Sequence, residues 1–148
     1  MACAYFPEKK TWHEREQWLI ELEKTIQHPQ ASYLLSAQGT FLSRDMDIAF
    51  CSGAWAAVII LAHAVIDATL RDTEFGDYKS SSYKLFGDNE ELQWLRKIRN
   101  SLVHVRENQT TIEEAELHRI EENYESLEAD ARRAVRLAFQ VLYANPGT

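Results

Sequence analysis

The nine residues from Arg96 to His104 carry the side chains of this chain that are best suited to phosphate chemistry. Within this stretch, which reads Arg-Lys-Ile-Arg-Asn-Ser-Leu-Val-His, Arg99 and His104 stand five positions apart. A guanidinium holds a phosphate oxygen and neutralises charge that builds up on phosphorus, whereas an imidazole takes or gives a proton near neutral pH. Asn100 adds a neutral donor and acceptor beside them. The stretch therefore points to phosphodiester chemistry at Arg99, Asn100 and His104.

A regular helix would not bring Arg99 and His104 to one phosphate. At about 100° per residue the two side chains point about 140° apart, and they lie about 7.5 Å apart along the helix axis. Asn100 and His104, at i and i+4, do share a face. The three side chains converge if the helix loosens at its end, or if a second subunit supplies its copy across a two-fold axis.

The charge of the chain is unevenly distributed around this stretch. The formal net charge of −7 argues against tight, sequence-independent binding of nucleic acid. Residues 96–106, however, hold four basic side chains and no acid, whereas residues 113–130 hold eight acids and one arginine. We therefore expect a local basic patch on an acidic body. In this patch Arg96, Lys97 and Arg106 would attract RNA, although ordinary solvated surface charges give the same pattern.

The length and the cysteine content predict one cytoplasmic domain over residues 1–148. A chain of 148 residues can bury a core of its own. Cys3 and Cys51 lack the spacing of a disulfide framework or a thiolate zinc site, and charged residues interrupt the N-terminal stretch where a signal peptide needs an apolar core. Residues 48–66 approach the length of a membrane span, but polar positions interrupt them and Asp67 follows. This pattern favours a helix buried in protein.

Apolar residues recur every three or four positions, so the sequence predicts an all-α fold, a bundle of four or five helices. A capping box at Thr11–Glu14 would open a first helix that extends to about residue 27, where His28 and Pro29 stop it. Residues 30–42 would hold a short helical turn that breaks at Gly39.

The second helix is predicted to be long and unusually apolar. Ser43 would cap it, and it would run over residues 44–74 with a centre that is apolar on every face and must be covered all round. The excess of apolar side chains suggests a dimer interface. It is led by Trp55, Val58, Ile59, Ala62 and Ile66.

Two further helices complete the predicted core, which spans about residues 44–143. Asp88 would cap a third helix that ends in the candidate stretch. A second capping box, at Thr111–Glu114, would open a long last helix that reaches Tyr143. Long antiparallel helices in a bundle are the expected result.

The segment from Arg99 to His104, Arg-Asn-Ser-Leu-Val-His, resembles the Arg-x(4-6)-His signature of HEPN domains, including the polar residue that often follows the arginine. The order of elements is similar too, with a long apolar helix over residues 54–70, a short capped helix that ends in the signature, and a long final helix. The resemblance implies an up-and-down bundle with long second and last helices, which dimerises so that both signatures face a shared cleft.

Carried over residue by residue, the resemblance implies that Arg99 and His104 are catalytic, that Asn100 supports them, and that Asp67 is the acid on the long helix that often accompanies the signature. It implies a ribonuclease that needs no metal or cofactor and acts as a toxin or in phage defence. Its partners would be RNA and an antitoxin or other regulatory protein. Some members carry an adenylylated tyrosine two positions after the histidine, but Arg106 stands there in this chain and excludes that modification.

Structural roles are open for the same residues. Arg99 could pair with Asp67 or a neighbouring glutamate, and His104 could be a core or helix-terminal histidine that the helix dipole favours. His63 and Asp67 supply two ligands at i and i+4, too few for a metal site, so a buried hydrogen-bonded pair is expected there. The arginines of the last helix are expected to pair with acids rather than to bind phosphate; these are Arg132, Arg133 and Arg136, with Glu128 and Asp130.

Two functions follow from these residues. The leading hypothesis is a homodimeric HEPN-type endoribonuclease that cuts RNA but not DNA, without metal, by attack of the 2′-hydroxyl on its adjacent phosphate. The alternative is a non-catalytic HEPN-like module that binds a protein partner or a nucleotide and keeps Arg99 and His104 for the dimer cleft. Neither function involves a membrane.

Overall fold

Five helices make up the described part of the chain, which in this computed structural model covers residues 6–72, 89–104, 114–144 and 146–147. They are α1 (Lys9–Ile26), α2 (Ala37–Ser52), α3 (Trp55–Asp72), α4 (Glu90–Val103) and α5 (Glu114–Leu142). Two-residue strands pair antiparallel beyond α1 and α5; they are β1 (Ser32–Tyr33) and β2 (Pro146–Gly147). The predicted all-α bundle is confirmed. Within the same residues, no helix combines the length and the apolar character that crossing a membrane requires.

The apolar helix α3 packs against α2, α4 and α5. Its buried residues recur every three or four positions and face a matching stripe on α5. The buried positions are Trp55, Val58, Ile59, Ala62, Val65 and Ile66 on α3, and Ala131, Ala134, Val135, Ala138 and Val141 on α5. Because burial of one large apolar side chain stabilises a fold by roughly 1.5–3 kcal/mol, this shared core is the main source of stability.

The side chains that suggested a dimer interface on the second helix are buried inside one chain. Trp55 is 5% exposed, Ile66 is 4% exposed, and Val58, Ile59 and Ala62 are not exposed at all. The prediction that the helices of one chain do not suffice to cover them is therefore wrong. The alanines of α5 let that helix approach α3 closely, so a small bundle covers the apolar face.

The predicted helix over residues 44–74 is two helices, because the chain turns at Gly53. Gly53 adopts a φ of +81°, in the left-handed region that costs an ordinary side chain roughly 1–2 kcal/mol. The Ala54 N–H donates to the Ala49 carbonyl at 2.9 Å. Of the two hydrogen bonds that define a Schellman motif, this is the one that spans more residues. The motif ends α2 and separates it from α3.

α2 begins earlier than predicted. Ser36 caps it by accepting a hydrogen bond from the Gly39 N–H at 3.0 Å, whereas Ser43, the predicted cap, is buried within the helix. Gly39 does not break the helix, because it lies in the first turn. A Cβ at Gly39 would come within 2.7 Å of the Thr69 hydroxyl oxygen on α3. The missing side chain therefore allows α2 to approach α3 closely.

α1 begins at Lys9, ahead of the predicted capping box at Thr11. Glu8 precedes the helix and its side chain makes no capping hydrogen bond, so the prediction of a capping box is wrong. The end of the helix is confirmed, since α1 stops at Ile26, just before the histidine–proline pair.

α4 begins after Asn89, whose side chain accepts a hydrogen bond from the Glu91 N–H at 2.8 Å. The predicted caps Asp88 and Thr111 lie outside the described residues. The last helix ends at Leu142, close to its predicted end.

A carboxyl oxygen of Asp47 on α2 is buried and has no hydrogen-bond partner among the described residues. Burial, and then the neighbouring carboxylate of Glu23 on α1, raises the pKa of Asp47 from 3.8 to about 7. Ionisation of Asp47 therefore opposes folding. The stability that the protonated form contributes is fully present below about pH 4 and is lost as the pH rises through about 7.

We expect Asp47→Asn to stabilise the fold at pH 8 by on the order of 2–4 kcal/mol, because no charge is then buried. Thermal unfolding followed by circular dichroism between about pH 4 and pH 8 measures this effect. The melting temperature of the wild type should fall more steeply with pH than that of the variant. Glu14→Gln, at an exposed position of α1, is the control and should keep the wild-type dependence. An Asp47→Asn variant with that same dependence would contradict the assignment.

Candidate functional site

A side chain of α5 contacts one edge of α4, the helix that carries the candidate residues. Arg133 on α5 donates to the Glu91 carboxylate, and its guanidinium carbon lies 3.9 Å from the centroid of the Trp94 ring. The hydrogen bond from Arg133 keeps the pKa of Glu91 below its ordinary value. Leu95 is fully buried beneath these contacts. Leu95, the partly buried apolar residues around it and the contact with Arg133 thus fix the position of α4 against the bundle.

α4 ends inside the candidate stretch. Its last residue is Val103, and His104 has an extended backbone with a φ of −108° and a ψ of 121°. The His104 N–H donates to the Asn100 carbonyl at 3.0 Å, and His104 is exposed. This hydrogen bond is the i to i−4 bond of an α-helix, so α4 keeps its regular hydrogen bonding up to His104, and the chain leaves the helical path only with the backbone angles of His104 itself. Convergence of Arg99 and His104 through a second subunit stays a prediction.

Asn100 links the two candidate catalytic residues. Its side-chain oxygen accepts a hydrogen bond from Arg99 Nη1 at 2.8 Å, and its backbone carbonyl holds His104. Arg99 and Asn100 are both half-buried, so water competes less for this bond than it would on an open surface. Because Asn100 is neutral, the contact orients the Arg99 guanidinium without neutralising its charge.

Asp67, the predicted supporting acid, contacts another residue. Its Oδ1 accepts a hydrogen bond from Arg71 Nε at 3.1 Å, one turn further along α3. Within the described ranges, Arg99 forms no ion pair with Asp67 or with any other acid. Among the described residues, therefore, no carboxylate neutralises Arg99 as the structural alternative required. The supporting role of Asp67 stays a prediction.

His63 on α3 belongs to the same region, and sequence reasoning assigned it to a different partner. Burial, and then the positive charge of Arg99, lowers the pKa of His63; Asp67 partly offsets this effect and Arg96 adds to it. The imidazole therefore lies within electrostatic reach of two arginines on α4. The prediction of a buried hydrogen-bonded pair of His63 and Asp67 is wrong, since Asp67 is exposed and binds Arg71.

The signal for His63 in the sequence was a histidine in the apolar part of a helix. Its partners lie on another helix, so spacing along α3 could not identify them. Arg96 and Lys97 are exposed on α4, whereas Arg106 lies outside the described residues. We call the following residues the α3–α4 cluster: His63, Arg96, Lys97, Arg99, Asn100 and His104.

Two arginines of α5, Arg132 and Arg133, have structural contacts instead. Arg132 donates to Glu128 at 2.7 Å, as predicted, and its guanidinium carbon lies 4.6 Å from the centroid of the Trp18 ring. Arg133 pairs with Glu91 on α4, so the prediction of a partner within its own helix is wrong. Among the side chains that the structure describes, no three of His, Cys, Asp or Glu lie together as metal ligands would.

No family model matches the chain, and no curated protein or solved structure matches it either. The chemistry of the α3–α4 cluster is therefore inferred from its own geometry. The cluster combines a charged arginine, a side-chain amide that binds it, and an exposed histidine just beyond the end of the helix. Such a set can bind a phosphate and move a proton, which are the two requirements of phosphodiester cleavage.

We expect His63 to titrate below its ordinary pKa of 6.5, and Arg99→Gln to raise that pKa by removing a positive charge that opposes protonation. An NMR titration of the imidazole resonances measures both effects. Arg136→Gln, at an exposed position of α5, is the control and should leave the His63 pKa unchanged.

The same titration has a consequence for folding. A pKa that is lower in the folded than in the unfolded state means that protonation of His63 opposes folding, so its contribution is present above about pH 6.5 and is lost as the pH falls. A His63 pKa that does not respond to Arg99→Gln would exclude the residue from the cluster.

Proposed function

We propose that this chain is a metal-independent endoribonuclease of the HEPN type, with the α3–α4 cluster as its catalytic site. The observation that carries the proposal is the end of α4, where Asn100 binds the guanidinium of Arg99 without neutralising it and an exposed His104 follows the last residue of the helix. The resemblance of the sequence to HEPN domains supports the same residues. In this role Arg99 and His104 are catalytic and Asn100 positions them.

The proposed reaction begins at a ribose 2′-hydroxyl. His104 takes the hydroxyl proton while the 2′-oxygen forms a bond to the adjacent phosphorus. Arg99 neutralises the negative charge that builds up on the non-bridging oxygens. The bond between phosphorus and the 5′-oxygen then breaks, and a protonated histidine gives that oxygen a proton. The products are a 2′,3′-cyclic phosphate and a 5′-hydroxyl end, and each step uses only side chains of the chain.

A homodimer supplies the second histidine that these steps need. One His104 acts as the base and the other as the acid when the ends of two α4 helices face a shared cleft. The outward side of α3 offers a contact face beside this cleft. Its apolar residues there are mostly small and only half-buried, so two helices can approach closely; they are Ala57, Ile60, Ala64 and Ala68.

RNA would be attracted by local charge rather than by the charge of the whole protein. The net charge of −7 repels a nucleic acid at long range, but Arg96 and Lys97 are exposed beside the site, and Arg106 follows in the sequence. A cytoplasmic ribonuclease of this kind, as a toxin or in phage defence, must be restrained until it is needed. An antitoxin or other regulatory protein that covers the cluster therefore belongs to the proposal.

The products distinguish this mechanism from others. In excess chelator, RNA should be cut to leave a 2′,3′-cyclic phosphate, whereas DNA should survive because it lacks the attacking hydroxyl. Activity should follow a bell-shaped pH curve, since one histidine must be neutral and another protonated. End-group analysis of a labelled oligonucleotide by mass spectrometry provides the measurement. Loss of cleavage in chelator, or equal cleavage of DNA, would exclude the mechanism.

Substitution of the catalytic residues should separate activity from stability. Arg99→Ala and His104→Ala should each lower the cleavage rate about 100-fold or more while the melting temperature changes little. Arg136→Ala, at an exposed site on α5, is the matched control and should keep full activity. A sharp fall in melting temperature for either variant would instead identify that residue as a buried structural partner.

Mixed dimers test the shared site. The proposed reaction needs two copies of His104, one as base and one as acid, so a dimer of one wild-type and one His104→Ala subunit should lose cleavage about as far as the His104→Ala homodimer does. A mixed dimer that keeps about half of the wild-type activity would place a complete site in each subunit. If the wild-type dimer does not cleave RNA at all, the non-catalytic module that binds a partner or nucleotide becomes the better interpretation.

A further inference from the structure

His63 lies where the buried stripe of α3 meets solvent. One turn before it Ile59 is fully buried, and one turn after it Asp67 is exposed. The imidazole itself is half-buried, so a solute can reach it from the surface. With the other residues that the structure describes, it makes no hydrogen bond and no ion pair. Within that part of the chain, nothing competes with a ligand for its ring nitrogens.

Two arginines of α4 lie close to this histidine. Trp94 and Arg96, the residues before and after the buried Leu95, project to opposite sides of the helix. The Trp94 ring contacts an arginine of α5, so the side of α4 that carries Arg96, and Arg99 one turn later, faces away from α5. The pKa of His63 is lowered by burial first and then by the charges of Arg99 and Arg96. This side of α4 therefore lies beside the imidazole.

The positive charge on this side of α4 is not balanced by acids. Within the described ranges, neither Arg96 nor Arg99 forms an ion pair. Among the same residues Asp67 is the one acid that acts on His63, and it is exposed and binds Arg71. No charged side chain of α2, or of the described part of α5, alters the pKa of the imidazole, although both helices pack on α3. The local charge therefore favours an anion as the ligand.

We propose that Arg99 and His63 together hold one phosphodiester of RNA between α4 and α3, and that His63 takes up a proton from solvent when this phosphate binds. A phosphodiester keeps one negative charge throughout the range in which histidine titrates, so it opposes the positive charge of Arg99 at the imidazole. The imidazolium that forms then donates a charge-assisted hydrogen bond to a phosphate oxygen. The inference rests on the proposed function for its ligand, and the proton transfers of cleavage stay with His104.

Proton uptake makes the binding of RNA depend on pH in a defined direction. By linkage, the factor by which the phosphate raises the acid constant of His63 is the factor by which protonation of His63 tightens binding. The additional affinity is fully present below the pKa of the free protein and is lost as the pH rises through the higher pKa of the complex. A rise of about 1 in the pKa of His63 corresponds to about tenfold tighter binding at the acidic end.

An NMR titration with an RNA analogue that cannot be cleaved measures the proton uptake in the wild-type protein. A short 2′-O-methyl oligonucleotide keeps the phosphodiesters and lacks the attacking hydroxyl. With the protein saturated by this oligonucleotide, the pKa of His63, followed through its imidazole resonances, should rise by about 1 or more, because an opposite charge then lies beside the ring. A His63 pKa that does not rise would overturn the proposal.

Fluorescence anisotropy of the labelled oligonucleotide tests the same linkage with a variant, and melting temperature checks folding. The wild type should bind about tenfold more tightly at about pH 5 than at about pH 8, and His63→Gln should lose most of this difference. His13→Gln, at an exposed position of α1, is the control and should keep it.

Two outcomes of the binding experiment would also overturn the proposal. They are a His63→Gln variant that keeps the full wild-type dependence on pH, and an oligonucleotide that binds at neither pH. The proposed cleavage is judged separately with ordinary RNA. If the His63 pKa rises on binding but ordinary RNA is not cut, the phosphate site is retained and the proposed ribonuclease is rejected.

Discussion

α3 is an 18-residue helix whose side chains are apolar around most of its circumference, so protein has to cover it on nearly every side. α2 approaches it closely because Gly39 has no side chain opposite Thr69, and α5 approaches it through a run of alanines. α4, which has only Leu95 fully buried, contacts both α3 and α5. The coverage of α3 therefore decides where the candidate site lies.

The peripheral position of α4 explains how its C-terminal end can be both fixed and open. Its buried contribution is small, so contacts at the rim matter more for its position than they do for α2 or α5. Arg133 supplies one such contact through Glu91 and Trp94, near the N-terminal half of α4. At the other end the helix stops, and the chain leaves it with His104 exposed. Ile98 and Leu102 still pack against the core at this end, so α4 presents its polar side chains on the outer side of a helix that is packed along its length.

Periodicity and composition were sufficient to predict the helical class, the stop after α1 and the end of the last helix. They failed where the backbone conformation of one residue, or one contact between helices, determines where a helix ends or which residues are neighbours. Gly53 could have been an interior residue of a long apolar helix, and only its left-handed conformation ends α2. Ser36 and Ser43 are equally good caps by type, and packing against α3 selects the first. His63 could not be placed near Arg99, because a pattern along one helix carries no information about which helix lies beside it.

The polarity of α4 bears on how a phosphate would be held at the candidate site. The C-terminal end of a helix carries a partial negative charge and unpaired carbonyls, and both repel an anion. A phosphate at a helix N-terminus is bound largely by backbone N–H groups. The C-terminal end of α4 does not offer such free N–H groups. The His104 N–H is already bonded to the Asn100 carbonyl, which satisfies one of the carbonyls at this end. Attraction of a phosphate must therefore come from cationic side chains, and Arg99, which Asn100 orients without neutralising, is the best placed of these to follow charge as it develops on phosphorus.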